Sequence, residues 1–234
     1  MKVCIDAGHG GKDPGAVGST VEEKWVALDV TMRVAVKLQN SGIDVVMTRD
    51  SDQFVALDDR AKIANSKGAD IFISIHCNSS SPEACGTEAW VFPREDKDHR
   101  LADCILQKIV ERTGFKNRYT KQDNLAVLRL TKMPAVLVEL GFISNPQEEQ
   151  IMKTYDYQDQ VSTAIVEGIK LYAGIPLEMT NQYSYDDTVN NMVIDGVTTT
   201  DNMAYWEQVL AGNTSARADY IRSILKRYQD LLRR

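Results

Sequence analysis

The chain has 234 residues, of which 43% are hydrophobic and 26% charged, and it carries a formal net charge of −6. That length holds one large domain, or one of ordinary size with an appendage, and its apolar content allows a sizeable core. The acidic balance removes any broad electrostatic drive toward nucleic acid, and no run of about 18 apolar residues is present to cross a membrane as a helix.

The elements follow in chain order. KVCID (2–6) reads as a strand and runs into the glycine-rich AGHGGKDPG. Residues 22 to about 39 read as a helix, with Leu28, Met32, Ala35 and Leu38 at helical spacing. IDVVMTR (43–49) is a β-branched strand, and DDRAKIANSKG (58–68) a short helix stopped by Gly68. DIFISI (70–75) and GTEAWVF (86–92) are further strands, 98–113 a helix, and AVLVELG (135–141) a strand introduced by Pro134. NPQEEQIMKT (145–154) opens with an Asn N-cap and a proline at the first helical position, and 157–173 is a longer amphipathic helix closed by Gly174. Strands separated by helical crossovers predict an α/β fold, with a twisted, mostly parallel sheet and helices on both faces. Near-continuous apolar strands such as IFISI suit a sheet covered on both sides.

After Pro176 the composition turns polar and rich in Asn, Asp and Thr. The expected organisation is a main domain over 1–175, a linker over 176–198 and a small helical C-terminal module over 199–234. Two helices are expected in that module, about 201–211 and 216–232, with Trp206, Tyr220 and Tyr228 on their apolar faces. Such a tail is too short to bury much alone, so its apolar faces are expected to meet the main domain, a second copy in a homodimer, or an external ligand. Met1 and Lys2 lead directly into the first strand with no apolar leader. This predicts synthesis without a secretion signal, or a secreted protein cut back to this part. Cys4, Cys77, Cys85 and Cys104 form no CxxC pair and predict reduced thiols.

Two histidines and a glutamate fall at predicted strand ends: His9 after the first, His76 in ISIHCNS and Glu139 in VLVELGF. In open α/β sheets ligands bind outside the carboxyl ends of strands, which gathers these residues if their strands are neighbours. Two histidines and a carboxylate suit zinc with one position left open, and Glu22 and Glu23 are candidate carboxylate ligands beside Glu139. A further carboxylate near such a site would serve as general base. Taken singly, each histidine has a plain alternative as a loop hydrogen-bonder or strand cap, and Glu23 as a helix N-terminal acid. Glu139 is harder to dismiss, because a carboxylate in a strand as apolar as AVLVE is costly unless paired or functional. His99, in a charged run, reads as exposed and inert. Nucleotide fingerprints fail: Asp6 and Asp13 stand where a P-loop needs glycine and hydroxyl, Asp13 also takes the third glycine of GxGxxG, and no GxSxG elbow is present.

At these residues the sequence resembles the zinc-dependent N-acetylmuramoyl-L-alanine amidases of the amidase-3 type. The matching pieces are IDAGHGGKDPGAVG (5–18), EKWVAL (23–28), LDDRAKIAN (57–65), ISIHCNS (73–79), GTEAWVF (86–92) and NLAVLRLTKMPAVLVELGFISN (124–145). The resemblance implies that His9, Glu23 and His76 ligate Zn2+ and that Glu139 is the catalytic carboxylate. It implies hydrolysis of the amide joining N-acetylmuramic acid to the L-alanine of bacterial peptidoglycan, with an inactive peptidoglycan-binding protein as the alternative. Cys77 stands where many relatives have alanine; strand alternation points it away from the site. With no visible export signal, the resemblance implies a phage endolysin ahead of a bacterial autolysin. The loop running from Gly114 toward Leu125 is the expected source of stem-peptide contacts.

Overall fold

The β-branched runs form the centre of a six-stranded sheet in the order β2-β1-β3-β6-β4-β5. The computed structural model describes residues 1–94 and 96–177; the expected helices 201–211 and 216–232, and the linker beyond 177, lie outside the described residues. The chain divides into units Met1–Glu178 and Met179–Arg234, and the described residues belong to the first.

The strands are β1 (Lys2–Ala7), β2 (Asp44–Met47), β3 (Ile71–Asn78), β4 (Thr87–Val91), β5 (Asn117–Gln122) and β6 (Ala135–Phe142). The helices are α1 (Glu23–Gln39), α2 (Leu57–Ser66), α3 (Asp96–Thr113), α4 (Ala126–Arg129), α5 (Pro146–Met152) and α6 (Tyr155–Ala173). Strands β1, β2, β3 and β6 run parallel, whereas β4 is antiparallel to β6 and β5 runs parallel to β4. The mostly parallel sheet expected from the sequence is therefore present, with one reversal.

Alternation sorts the side chains. Val3, Ile5, Ile71, Ile73, Ile75, Val136 and Val138 join one core with residues of α1, α3 and α6. Cys4, Phe72, Ala135 and Leu137 join a second with α2 and α4. Period-2 alternation then assigns Asp6, Ser74, His76 and Glu139 to the second face. On α1 the stripe in the main core is Val26, Val30, Val34 and Leu38, rather than the Leu28–Met32–Ala35 line read from sequence. The stretch expected as a loop after Gly114 contains β5 and leads to α4. NRYTKQ gives no apolar alternation because β5 is an edge strand, paired only with β4 and half exposed.

A buried ion pair ties the second face together beneath the first loop. Asp6, with no exposed surface, accepts from Thr48 Oγ1 (2.6 Å), Arg60 Nη1 (2.8 Å) and Ser74 Oγ (2.5 Å). Burial alone would raise the Asp6 pKa; Arg60 and the two hydroxyls outweigh it and hold the carboxyl below its ordinary value. Asp6→Asn leaves the buried Arg60 charge uncompensated and is expected to cost about 3 kcal/mol at pH 7 by urea unfolding. Because the folded-state pKa is depressed, this contribution is complete above the unfolded value near 3.8 and is lost as pH falls through the folded value. The wild-type advantage over Asp6→Asn should therefore hold steady above about pH 5 and shrink in acid.

Candidate metal centre

The loop after β1 turns on residues outside the usual backbone regions. His9 has φ +59°, a left-handed conformation unfavourable for a residue with a Cβ, and Gly10, Gly11 and Gly15 also have positive φ. Two buried arginines hold the loop by its carbonyls. Arg49 donates to Ala7 O (2.9 Å), Gly8 O (2.7 Å) and Lys24 O (2.9 Å). Arg60 donates to Ala7 O and to His9 O (2.6 Å). Gly10 and Asp13 close the turn through two backbone hydrogen bonds, 2.9 and 3.1 Å long.

This loop presents His9 to the first turn of α1 and the end of β3. His9 Nε2 lies 3.1 Å from Glu23 Oε1, and His76 Nδ1 lies 2.8 Å from the same oxygen. One ligand atom from each of His9, Glu23 and His76 falls within 4.8 Å of the others. Of the two candidate glutamates, the structure brings Glu23 to the histidines; Glu22 is the N-cap residue and pairs with Lys24 at 3.6 Å. The Glu23 carboxylate is fixed by Cys77 N–H on Oε1 (2.9 Å) and Ala16 N–H on Oε2 (2.8 Å). Its place in the first turn of α1 suits a negative charge. Asp13 Oδ2 meets His9 Nδ1 at 2.9 Å, which orients the ring and turns Nε2 inward.

Close approach explains the glycines. A Cβ on Gly8 would sit 2.4 Å from the His76 ring, and one on Gly15 would sit 2.5 Å from Glu23 Oε2 and 2.6 Å from the His9 ring. Two imidazoles and a carboxylate converging over such a cradle fit a divalent metal of the zinc type, which favours nitrogen and oxygen donors.

Glu139 stands beside this group. It is the direct β-partner of His76 on β3 and of Glu88 on β4, so the three side chains share one face. Its Oε2 is buried and has no hydrogen-bond partner among the described residues. Burial, reinforced by Glu23 and Glu88 and opposed by His76, raises its pKa to about 7. The other groups shift differently. Burial disfavours charge on His9, yet Glu23 and Asp13 outweigh it and raise its pKa to about 8. His76 is raised in the same way by Glu23 against its burial. Glu23 is held well below the carboxylate range by the two imidazoles, in spite of burial.

Cys77 turns to the opposite face, into the main core, as alternation predicted. Burial drives its thiol well above the usual range, with Glu23 and Glu139 adding to the effect. His99 lies on α3 and meets Gln122 at 2.6 Å, apart from the metal group. Sequence reading missed Asp13, Glu88, Arg49 and Arg60. Glu88 carried the signal that marked Glu139, a carboxylate inside an apolar strand; the arginines carried none.

The comparisons with known proteins agree with one another. A model of the Amidase_3 family, described as N-acetylmuramoyl-L-alanine amidase, matches residues 3–171. The chain is 39% identical over 173 residues to the uncharacterised protein YqiI of Bacillus subtilis, covering 73% of this chain and 84% of YqiI. It is 38% identical to the N-acetylmuramoyl-L-alanine amidase LytC of Bacillus subtilis, again over 73% of this chain but only 35% of LytC. The catalytic domain of CwlV, an N-acetylmuramoyl-L-alanine amidase from Bacillus (Paenibacillus) polymyxa var. colistinus, superposes with a TM-score of 0.72 at 37% identity. That match covers 75% of this chain and 99% of CwlV's domain.

The titration pattern makes metal uptake a proton-releasing event. Imidazoles bind metal only when neutral, and both are raised while the site is metal-free. Adding zinc to metal-free protein at pH 7 is expected to release protons. Calorimetry in buffers of different ionisation enthalpy measures this, and zinc binding with no proton release would contradict the assignment.

Proposed function

The chain belongs to the N-acetylmuramoyl-L-alanine amidase family, and from that premise we propose that it is a zinc-dependent amidase of bacterial peptidoglycan. The bond cut is the amide joining the lactyl group of N-acetylmuramic acid to the L-alanine of the stem peptide. The observation that carries this reading is the His9–Glu23–His76 group beside Glu139, whose Oε2 is buried without a partner.

His9, Glu23 and His76 would hold the zinc, and Asp13 would keep His9 in its ligating orientation. Bound there, zinc supplies Lewis acidity, which polarises the scissile carbonyl and makes a water easier to deprotonate. Glu139 takes the proton of the attacking water on its free Oε2 and passes it to the departing L-alanine nitrogen. Burial suits it to both halves of that task, because its raised pKa lets it accept and release a proton near neutrality. Asn78, Trp90, Arg118 and Lys121 occupy Glu88, which keeps that neighbouring carboxylate from the same role. The lysis setting, phage endolysin or bacterial autolysin, leaves the bond unchanged.

Glu139→Gln should retain zinc and lose more than roughly 100-fold in turnover on purified peptidoglycan. Wild-type turnover in zinc-loaded Glu139→Gln would remove Glu139 from the mechanism. His9→Ala and His76→Ala should lose bound zinc by elemental analysis. Mass spectrometry of a wild-type digest should find intact glycan strands and free stem peptides beginning at L-alanine. Zinc without cleavage would favour a binding protein instead. For residues 176–234 we keep the linker and accessory roles expected from sequence. Truncation after Pro176 should lower retention on insoluble wall or reduce the number of chains in the sedimenting particle, and no change in either would remove both targeting and self-association.

A further inference from the structure

Glu88 is 2% exposed and stands directly across from Glu139. Its Oε1 accepts from Asn78 Nδ2 (2.7 Å) and Trp90 Nε1 (3.1 Å). Its Oε2 accepts from Arg118 Nε (2.7 Å) and Lys121 Nζ (2.6 Å). One carboxylate thus faces two cations and leaves a positive charge in surplus. Arg118 and Lys121 keep 30% and 34% of their side-chain surface exposed.

The surplus cation depends on an irregular backbone. Residues three apart on a regular strand point to opposite faces, so Arg118 and Lys121 should not both reach Glu88. They do so because the β4–β5 register shifts between Thr87 and Ala89, opposite Tyr119. Tyr119 has φ +67°, a strained conformation for a residue with a Cβ, and its side chain is exposed. Such bulges re-aim side chains beside functional sites. A single cation would neutralise Glu88, and the irregularity brings a second one to this face.

Both cations are also held in place with donors to spare. Lys121 Nζ lies over the Trp90 ring at 5.1 Å and the Arg118 guanidinium over Phe142 at 4.8 Å. An ammonium has three N–H donors, and Lys121 spends one on Glu88. Arg118 uses Nε and Nη1, and its Nη2 has no hydrogen-bond partner among the described residues. A fixed guanidinium and ammonium side by side suit a carboxylate.

We propose that Arg118 and Lys121 form an anion subsite for a carboxylate of the stem peptide, on the residue that follows L-alanine. The assignment rests on the amidase reading above. Reach selects the residue. Neighbouring strands lie about 4.8 Å apart, so the cations that lean over Glu88 stand one to two strand spacings from Glu139. Two extended residues span roughly 7 Å, which carries the chain from the scissile amide to that distance, whereas a third overshoots.

The test compares two muropeptides that differ in one group. Full-length zinc-loaded protein is assayed on N-acetylmuramoyl-L-alanyl-D-isoglutamyl peptides bearing the free α-carboxylate, and on the same peptides amidated there. The free carboxylate should be preferred roughly tenfold in kcat/KM, mainly through KM. Lys121→Gln and Arg118→Gln should each bring the preference toward one, and Arg118→Lys should keep part of it. Both substrates are read on one preparation, so any unfolded fraction cancels in the ratio. Equal wild-type rates on the two substrates, or an unchanged preference in both glutamine variants, would overturn the subsite alone. Cleavage of neither substrate by wild type would overturn the amidase reading, and the subsite with it.

Discussion

Two buried guanidinium groups carry the geometry on which the centre depends. The loop after β1 turns the carbonyls of Ala7, Gly8 and His9 toward two buried arginines and sets His9 at a left-handed φ. Left-handed backbone costs roughly 1–2 kcal/mol for a residue with a Cβ, and unpaired buried carbonyls would add to that. Arg49 and Arg60 supply the missing donors, and Asp6 balances the charge of Arg60 from the strand itself. His9 therefore reaches Glu23 and His76 from a backbone that could not hold its shape unaided.

The carboxylates of the described residues show why Glu139 stands apart. Asp98 is closed off by Arg94 and Ala135 N–H, and Glu148 by the amides of Gly86 and Phe142. Glu149 takes Ser19, Thr20 and Val21, fixing the segment that leads into α1. Each of these is buried and engaged, as buried charge normally must be. Glu139 has a buried oxygen with nothing on it, one strand away from the fully occupied Glu88. Two adjacent glutamates thus receive opposite environments, and their proton affinities separate accordingly. Of the two, Glu139 is the one that keeps an oxygen open to a further partner.

What the sequence disclosed follows from which signals are local. Apolar runs and helix stops marked β1, β3, β6, α5 and α6, because each is specified by its own residues: Asn145 caps α5 through the amides of Gln147 and Glu148. His9, His76 and Glu139 were legible as polar residues at the ends of apolar strands. The resemblance pointed to Glu23 rather than Glu22, whereas the residues alone left both open, because the choice depends on the entry angle of α1, which Ala16 and Pro14 set through backbone bonds to Glu23 and Lys24. β5 was invisible because an edge strand with half-exposed side chains needs no apolar pattern. Arg49 and Arg60 were invisible because the loop carbonyls they hold, those of Ala7, Gly8 and His9, lie more than 40 residues away, and carbonyls leave no trace in a sequence.

The reversal at β4 extends the site beyond what a parallel sheet would supply. Parallel strands bring only their carboxyl ends to the crevice, as β1 and β3 bring His9 and His76. An antiparallel β4 brings its opening residues to the same edge, so Glu88 falls opposite Glu139 while Trp90 pairs with Leu137 deeper in the sheet. Had β4 run the other way, its carboxyl end and Phe92 would stand there, and no carboxylate would collect Arg118 and Lys121. The same reversal carries β5 with it, since β5 is parallel to β4, and so places the bulge at Tyr119 on the side of Glu88 and Glu139. One change of strand direction thus sets a cation-bearing surface beside the centre, on the side that the carboxyl-end rule for parallel sheets does not reach.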